Sequence, residues 1–442
     1  MKFRKFGKTV LTAALSSAIV FSLSSCVRSF TVGYMYVTGT VTATPSGNGI
    51  ITAFKINNNN GKLTTLDGFP VSSGGANPIR AVLLSGGNFV YVLNRGANKE
   101  GTGDCTTADP CLNSNITEFA VGGNGILTYQ ATFYTQGINP FRLIPDSSGN
   151  YLFALDHDAP SNTYCAIPVP GETSCGDVTV FSVNSTTGRL TLVTNAQQTS
   201  NFGTQVTYFP VQANPIDFTL ASSNLEILAG AAGNPQTVYP YVYNSSTGQL
   251  SISGGKVQSI FNGSGGLVEQ GTAIINASGH VYILDNEVLT AGNPPGQVLT
   301  FTVQGNGSLT SLVGGAVADD PAETYPLYLI VESKGSYIYV ANEGGSTFNN
   351  GAGIVAYTID KTSGQFAEDP GSPFPAGTGA EPACLLEDPS NQYIYTANAG
   401  DSTVTGNLLD PNSGVLRAMQ GWSGSIGLTG PATYCFTTGR TN

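Results

Sequence analysis

The chain has 442 residues with 17 basic and 28 acidic side chains, a net charge of −11, and only 10% of its residues are charged. This acidic balance excludes a nucleic-acid-binding protein, because it repels a phosphate backbone, and the 40% of apolar residues exclude a disordered polar chain. Its 56 glycines, with abundant Asn, Ser and Thr, point to an all-β fold of short strands and turns.

The chain opens with Lys2, Arg4, Lys5 and Lys8 and continues in an uncharged apolar run from Val10 to Leu23. That is the order of a secretory leader, and the run is too short for a membrane span. Leu23-Ser24-Ser25-Cys26 closes it and resembles a bacterial lipobox, cleaved ahead of the cysteine; a plain signal-peptidase site fits the same order. On the lipobox reading, residues 1–25 are removed, Cys26 is acylated, 26–32 form a lipidated tether and lipid alone touches the membrane. Val27 follows the cysteine where an Asp would imply inner-membrane retention, so the resemblance implies an exported protein at the outer membrane. Without the leader, 17 less 4 leaves 13 basic side chains against 28 acidic ones, a net −15.

From Gly33 onward one pattern recurs: a turn, then an aromatic and aliphatic run often closed by Asn, here named strand B. Examples are Asn88-Phe-Val-Tyr-Val-Leu-Asn94, Ser336-Tyr-Ile-Tyr-Val-Ala-Asn342 and Gln392-Tyr-Ile-Tyr-Thr-Ala-Asn398. The runs start at Gly33, Asn88, Asn150, Asn224, His280, Ser336 and Gln392, spaced 55, 62, 74, 56, 56 and 56 residues apart. This period suits a four-stranded propeller blade. Each unit continues with an alternating strand C and a tight turn whose glycine lies two residues before an apolar residue opening strand D. These glycines are Gly61, Gly125, Gly188, Gly248, Gly307, Gly364 and Gly414. Strand A of the next unit opens after Pro78, Pro140, Pro215, Pro326, Pro382 and Pro431, since proline suits a strand's first residue.

The chain therefore starts at strand B and ends on a lone strand A. Pairing the two ends closes a ring of seven four-stranded antiparallel blades, a single domain over 33–440, with no free inner edge. Separate sandwich domains would need linkers, and no Pro/Ser/Gly-rich hinge divides the units. Export places the six remaining cysteines in an oxidising compartment. Cys105 with Cys111 and Cys165 with Cys175 would each staple a long B–C insertion, and Cys384 with Cys435 would bond across the closure seam.

On such a ring, residues after strand B and residues opening strand A gather at one rim of a central channel. After strand B stand Thr40, Arg95, His157, Ala231, Glu287, Glu343 and Ala399; opening strand A are Arg80, Arg142, Asp217, Glu269 and Glu381. Such a mouth can bind a carboxylate or polarise a carbonyl. The alternative is a set of solvated loop ends paired blade to blade. His157, within Asp156-His157-Asp158, is the candidate base, whereas His280 at the opposite strand end reads as structural. The chain carries no GxSxG, HExxH, paired CxxC, P-loop or dinucleotide glycine motif, so no cofactor and no metal are expected. Asp319-Asp320-Pro321-Ala322-Glu323 reads as an acidic loop rather than a calcium site.

Tyr339-Val340-Ala341-Asn342 and Tyr395-Thr396-Ala397-Asn398, with the glycine turns and Pro-initiated strands, resemble the lactonase family of seven-bladed propellers. That group includes 6-phosphogluconolactonase-like and carboxymuconate-cyclase-like members and grades into YVTN-repeat surface proteins. The resemblance runs from about Gly33 to Arg440 and implies Arg, His and Glu at the channel mouth, which Arg95, Arg142, His157 and Glu343 match in type and place. Two functions stand open. One is lactone hydrolysis, with the arginines stabilising the oxyanion and His157 or Glu343 activating water. The other is a monomeric, non-catalytic module tethered to the envelope, presenting its loops to a protein or glycan. The missing second His near a strand A opening and the net −15 argue against a phosphorylated sugar lactone.

Overall fold

A computed structural model describes residues 29–439 apart from 42–48, 102–104, 162, 164, 166–173, 201–202, 232, 254–256, 262–264, 287–295, 321–324, 345–351, 375–376 and 420–421. All of its regular structure is strand, arranged as seven antiparallel sheets. Six sheets take four consecutive strands of the chain, from Pro78–Leu83 through Leu127–Phe133 in blade 2 to Pro382–Glu387 through Leu416–Ala418 in blade 7. Blade 1 is composite. Its B, C and D strands are Thr31–Gly39, Ile50–Asn57 and Leu63–Thr65, and its inner strand is the last of the chain, Ala432–Gly439, paired from Gly33↔Gly439 to Gly39↔Ala432. The ring thus closes as the phase of the repeat requires, so neither chain end leaves an inner edge unpaired.

Seven apolar clusters fill the seven gaps between neighbouring blades. Strand B supplies the large side chains, with Tyr36, Tyr91, Tyr282, Tyr339 and Tyr395 fully buried. Each such ring removes apolar area worth about 2 kcal/mol from water. Four of their hydroxyls donate to the turn glycine of the next blade: Tyr36 to Gly125 O (2.7 Å), Tyr91 to Gly188 O, Tyr339 to Gly414 O (2.7 Å) and Tyr395 to Gly61 O (2.6 Å). All seven turn glycines have φ between 65° and 82°, and each predicted apolar partner is the first residue of its strand D. At Gly125 a Cβ would lie 2.4 Å from the Tyr34 ring, so the turn needs glycine for contact as well as for conformation. His280 fills the same aromatic position in blade 5 and packs on Gly364, the structural role read from the sequence.

The three cysteine pairs form the disulfides Cys105–Cys111, Cys165–Cys175 and Cys384–Cys435, with Cα atoms 5.1, 5.6 and 6.0 Å apart. The last ties the inner strand of blade 7 to the closing strand. Cys26, with the rest of the leader, lies outside the described residues; strand B of blade 1 opens at Thr31.

Candidate functional site

Every inner strand carries a register shift near its start. In blades 2, 4, 6 and 7 it falls between the proline and the residue two further on: Pro78/Arg80, Pro215/Asp217, Pro326/Tyr328 and Pro382/Cys384. The residue before each proline sits at positive φ, 49° at Asn77, 50° at Asn214, 60° at Tyr325 and 51° at Glu381. The chain turns sharply over the rim and a bulge then re-aims the strand. One residue per blade lands on a common level, opposite the penultimate position of strand B in six blades and opposite Leu155 in blade 3, whose strand B runs on to Asp158. This set is Arg80, Arg142, Asp217, Ala273, Tyr328, Cys384 and Tyr434. All but Cys384, which is buried in its disulfide, line one cavity of about 210 Å³ on the ring axis.

The geometry revises the expected rim. Arg80, Arg142 and Asp217, each two residues after a proline near the start of its inner strand, line this cavity in the channel. Positions immediately after strand B remain at the rim: the Arg95, Glu343 and Ala399 N–H groups donate to the carbonyls of Asn77 (2.9 Å), Tyr325 (3.0 Å) and Glu381 (2.8 Å). In blades 4 and 5 the equivalent donors are Gly230 and Asn286, one residue earlier than Ala231 and Glu287. Glu287 itself lies outside the described residues, as does Glu323.

Inside the cavity, Arg142 Nε donates to Asp217 Oδ1 at 2.9 Å. The remaining capacity of Asp217 is largely taken by backbone, with Phe218 N on Oδ1 (2.9 Å) and Ile274 N on Oδ2 (3.1 Å). It is an anchor for Arg142 rather than a base. The Arg80 guanidinium lies 4.9 Å from the Tyr434 ring centre and 5.7 Å from that of Tyr328, and the Tyr328 hydroxyl donates to that of Tyr434 at 3.1 Å. Among the described residues no carboxylate stands within 4 Å of Arg80. Burial works to discharge Arg80, but Tyr434, Tyr328 and Asp217 outweigh it and raise its pKa. Burial and then the Arg80 charge lower that of Arg142, against the pull of Asp217. The channel therefore presents one fully charged guanidinium framed by phenol rings and a second held in place by a carboxylate. Such donors suit a carbonyl oxygen, an oxyanion or a carboxylate.

The other candidates do not reach this cavity. His157 Nδ1 lies 3.1 Å from Asp158 Oδ2, and Asp158 also accepts Asn139 Nδ2 (3.0 Å) and Thr107 Oγ1 (3.0 Å). Glu343 has its pKa raised by burial and by Glu381 of the next blade. Glu269 accepts Gly233 N (3.2 Å) and Gln236 Nε2 (3.1 Å) through its carbonyl. Of the four candidate catalytic residues, only Arg142 lines the channel. Tyr328 and Tyr434 were not anticipated. Tyr328 shares the offset of two residues after proline with Arg80, Arg142 and Asp217, so the sequence carried that signal; Tyr434 stands three after Pro431 and escapes the rule. Asp319 is a buried acceptor for the Tyr357 hydroxyl (2.7 Å), and among the described residues no cluster of three or more His, Cys, Asp or Glu could hold a metal ion.

The profile of the family described as lactonase, 7-bladed β-propeller, matches residues 34–208 and 285–431. The chain belongs to this lactonase family. The matched segments include Arg80, Arg142 and Tyr328, while Asp217 falls in the intervening stretch. Among solved structures, a putative 6-phosphogluconolactonase from Bacteroides uniformis is 14% identical, with a TM-score of 0.63, covering 92% of this chain and 100% of its own. A periplasmic gluconolactonase from Pseudomonas aeruginosa is 17% identical with a TM-score of 0.60 and the same coverage. A putative 6-phosphogluconolactonase from Bacteroides fragilis is 16% identical with a TM-score of 0.58, covering 92% and 98%. At these identities the likeness is one of fold. Among curated proteins none matches the sequence.

Proposed function

We propose that this lactonase-family propeller binds a small lactone, or the hydroxy acid it opens to, in the central channel, and that it does so outside the cytoplasm, held at the envelope through Cys26. The observation that carries the reading is the convergence of Arg80 and Arg142 on one axial cavity lined also by Asp217, Thr219, Tyr328, Tyr434 and apolar side chains. Two guanidiniums, one of them neutralised by Asp217, suit a single carbonyl or carboxylate better than a dianionic phosphate. The three disulfides accord with an oxidising compartment.

Hydrolysis is the second reading. The arginines supply the oxyanion partners, and water activation by His157 or Glu343 requires a bound lactone that extends from the cavity to the rim, since neither side chain lines the cavity. What favours binding without turnover is that the one carboxylate lining the cavity, Asp217, is already committed to Arg142 and two backbone donors.

Titration calorimetry and hydrolysis assays with sugar and aliphatic lactones, and with the corresponding hydroxy acids, test both. Arg80→Met should weaken binding at least about tenfold, the loss of one charge-assisted contact. His157→Ala and Glu343→Gln should leave binding intact, and they abolish turnover only if the protein is a hydrolase. Wild-type protein that binds neither lactone nor hydroxy acid at millimolar concentration removes the channel reading.

A further inference from the structure

The inner strands run from the mouth to the A–B turns, which together with the C–D turns build the opposite, or turn, face of the ring. The axial cavity extends from the level of Arg80 towards that turn face. Its walls continue from Arg142, Asp217 and Ala273 two residues further along each strand, to Ile144, Thr219 and Ile275. On the mouth side only Leu327 of its lining lies beyond the common level. At about 210 Å³ the cavity is smaller than the roughly 300–1,000 Å³ that small-molecule sites occupy.

A second cavity, a groove of about 700 Å³, begins where this one stops. The two share Ile144 and Thr219 as walls, and the groove follows the same strands out to the A–B turns of blades 3 and 4 and to Asn276 of blade 5. Ser147, Ser148, Ser222, Ser223, Ser245 and Asn276 supply hydroxyls and an amide to its lining, beside apolar surface from Pro145 and Leu220. Asn276 N donates to Thr219 Oγ1 at 3.1 Å, but Asn276 Oδ1 is buried and accepts no hydrogen bond among the described residues. A buried acceptor left in this state is costly until a donor reaches it.

Asp146 is the one charged side chain in this lining, and it accepts Tyr151 N (2.9 Å) and the Tyr243 hydroxyl (3.3 Å). A wall that holds an acid and no cation disfavours a phosphate or a second carboxylate. Short hydroxyl and amide side chains instead match the hydroxyls of an uncharged sugar, each of which both donates and accepts.

We propose, on the footing of the channel reading above, that the two cavities form one site and that its ligand is a glycosylated hydroxy acid or the corresponding lactone. The carboxylate or lactone carbonyl meets Arg80 and Arg142. The neutral sugar unit lies past Ile144 and Thr219 in the serine-lined groove, where one of its hydroxyls donates to Asn276 Oδ1. From Arg142 to Pro145 the strand advances roughly 10 Å, a length that two linked rings span and a single lactone ring does not.

Titration calorimetry on the full-length protein with gluconate, with cellobionate, which is gluconate carrying a 4-linked glucose, and with cellobiose tests this. Cellobionate should bind at least about tenfold more tightly than gluconate, the worth of one or two added hydrogen bonds. Cellobiose, which lacks the carboxylate, should not bind at millimolar concentration. Asn276→Ala should remove most of the gain and leave gluconate unchanged, because its backbone N–H still reaches Thr219, whereas Arg80→Met should weaken both acids. Equal affinity for the two acids, or a gain that survives Asn276→Ala, overturns the joined site while gluconate binding keeps the channel reading. Cellobiose binding as tightly as cellobionate and indifferent to Arg80→Met makes the groove a separate sugar site, and overturns it as well. If neither acid binds, the channel reading falls and the joined site falls with it.

Discussion

Asp156 and Asp177 occupy a corner that other blades link through an amide or hydroxyl. Where strand B ends and strand C begins, Asn94 donates to Asn115 (2.9 Å), Gln297 to Asp285 (2.6 Å) and Asn398 to Thr403 (3.0 Å). In blade 3 both partners are carboxyls and both are fully buried, so a shared proton must serve instead. Burial pushes Asp156 up to about 7, and burial with the Asp156 charge pushes Asp177 up as well. Because the native state holds the proton more tightly than the unfolded chain, stability falls as pH rises from about 4 through about 7. Asp177→Asn, which recreates the amide-to-carboxylate link of blade 5, should therefore stabilise the protein by about 2 kcal/mol at pH 8 and much less at pH 4.5, measured by urea unfolding at both. Glu226 stands where Tyr36, Tyr91, Tyr339 and Tyr395 stand in their blades, and burial raises it to about 8. The same sign holds between about 4.5 and 8, so Glu226→Gln should raise the melting temperature at pH 9 while changing it little at pH 4. Neither feature was legible beforehand, since a carboxyl on a strand looks alike in sequence whether it faces water or a neighbouring blade.

Among elements, the turn glycines and the inner strands divide the work of the blade. The glycines hold a positive φ and accept the aromatic side chain of the preceding blade, both of which the repeat spacing exposes. Gly125→Ala puts a Cβ against Tyr34 in a backbone region that alanine avoids, and should cost about 2 kcal/mol in denaturant unfolding. The inner strands were readable from their prolines, but their bulges were not, and those bulges decide which side chains enter the channel. The closing strand has a second fastening in Cys384–Cys435. Replacing both cysteines by Ser should lower stability by about 3 kcal/mol, read as an unfolding midpoint below that of the parent without reductant and equal to it with reductant, provided the two loop disulfides are removed in both proteins compared.

On the scale of the whole molecule, Glu343 and Glu381 at the mouth stand over a channel that holds Arg80 and Arg142. An anionic hydroxy acid should therefore associate faster as salt screens the rim, by a few-fold between low and physiological ionic strength, whereas a neutral lactone should be indifferent; stopped-flow binding would separate the two.

The sequence by itself determined the architecture: seven B-strand runs at a near-constant period, a glycine turn in each, prolines opening the inner strands, and a phase that makes the ends share a blade. Those signals are local or periodic, and every unit repeats them, so they survive without knowledge of contacts. The two loop cysteine pairs followed from position in the same frame, whereas the approach of Cys384 to Cys435 across the seam is set by the closed ring. Only the tertiary structure decided the site. Arg80, Arg142, Asp217, Tyr328 and Tyr434 come from five blades, and whether each side chain stays at the rim or enters the channel depends on a one-residue bulge and on what the neighbouring blades leave open. His157, Glu343 and Arg95 share the composition of a site but not its cavity, because convergence is a property of the closed ring and not of any one strand.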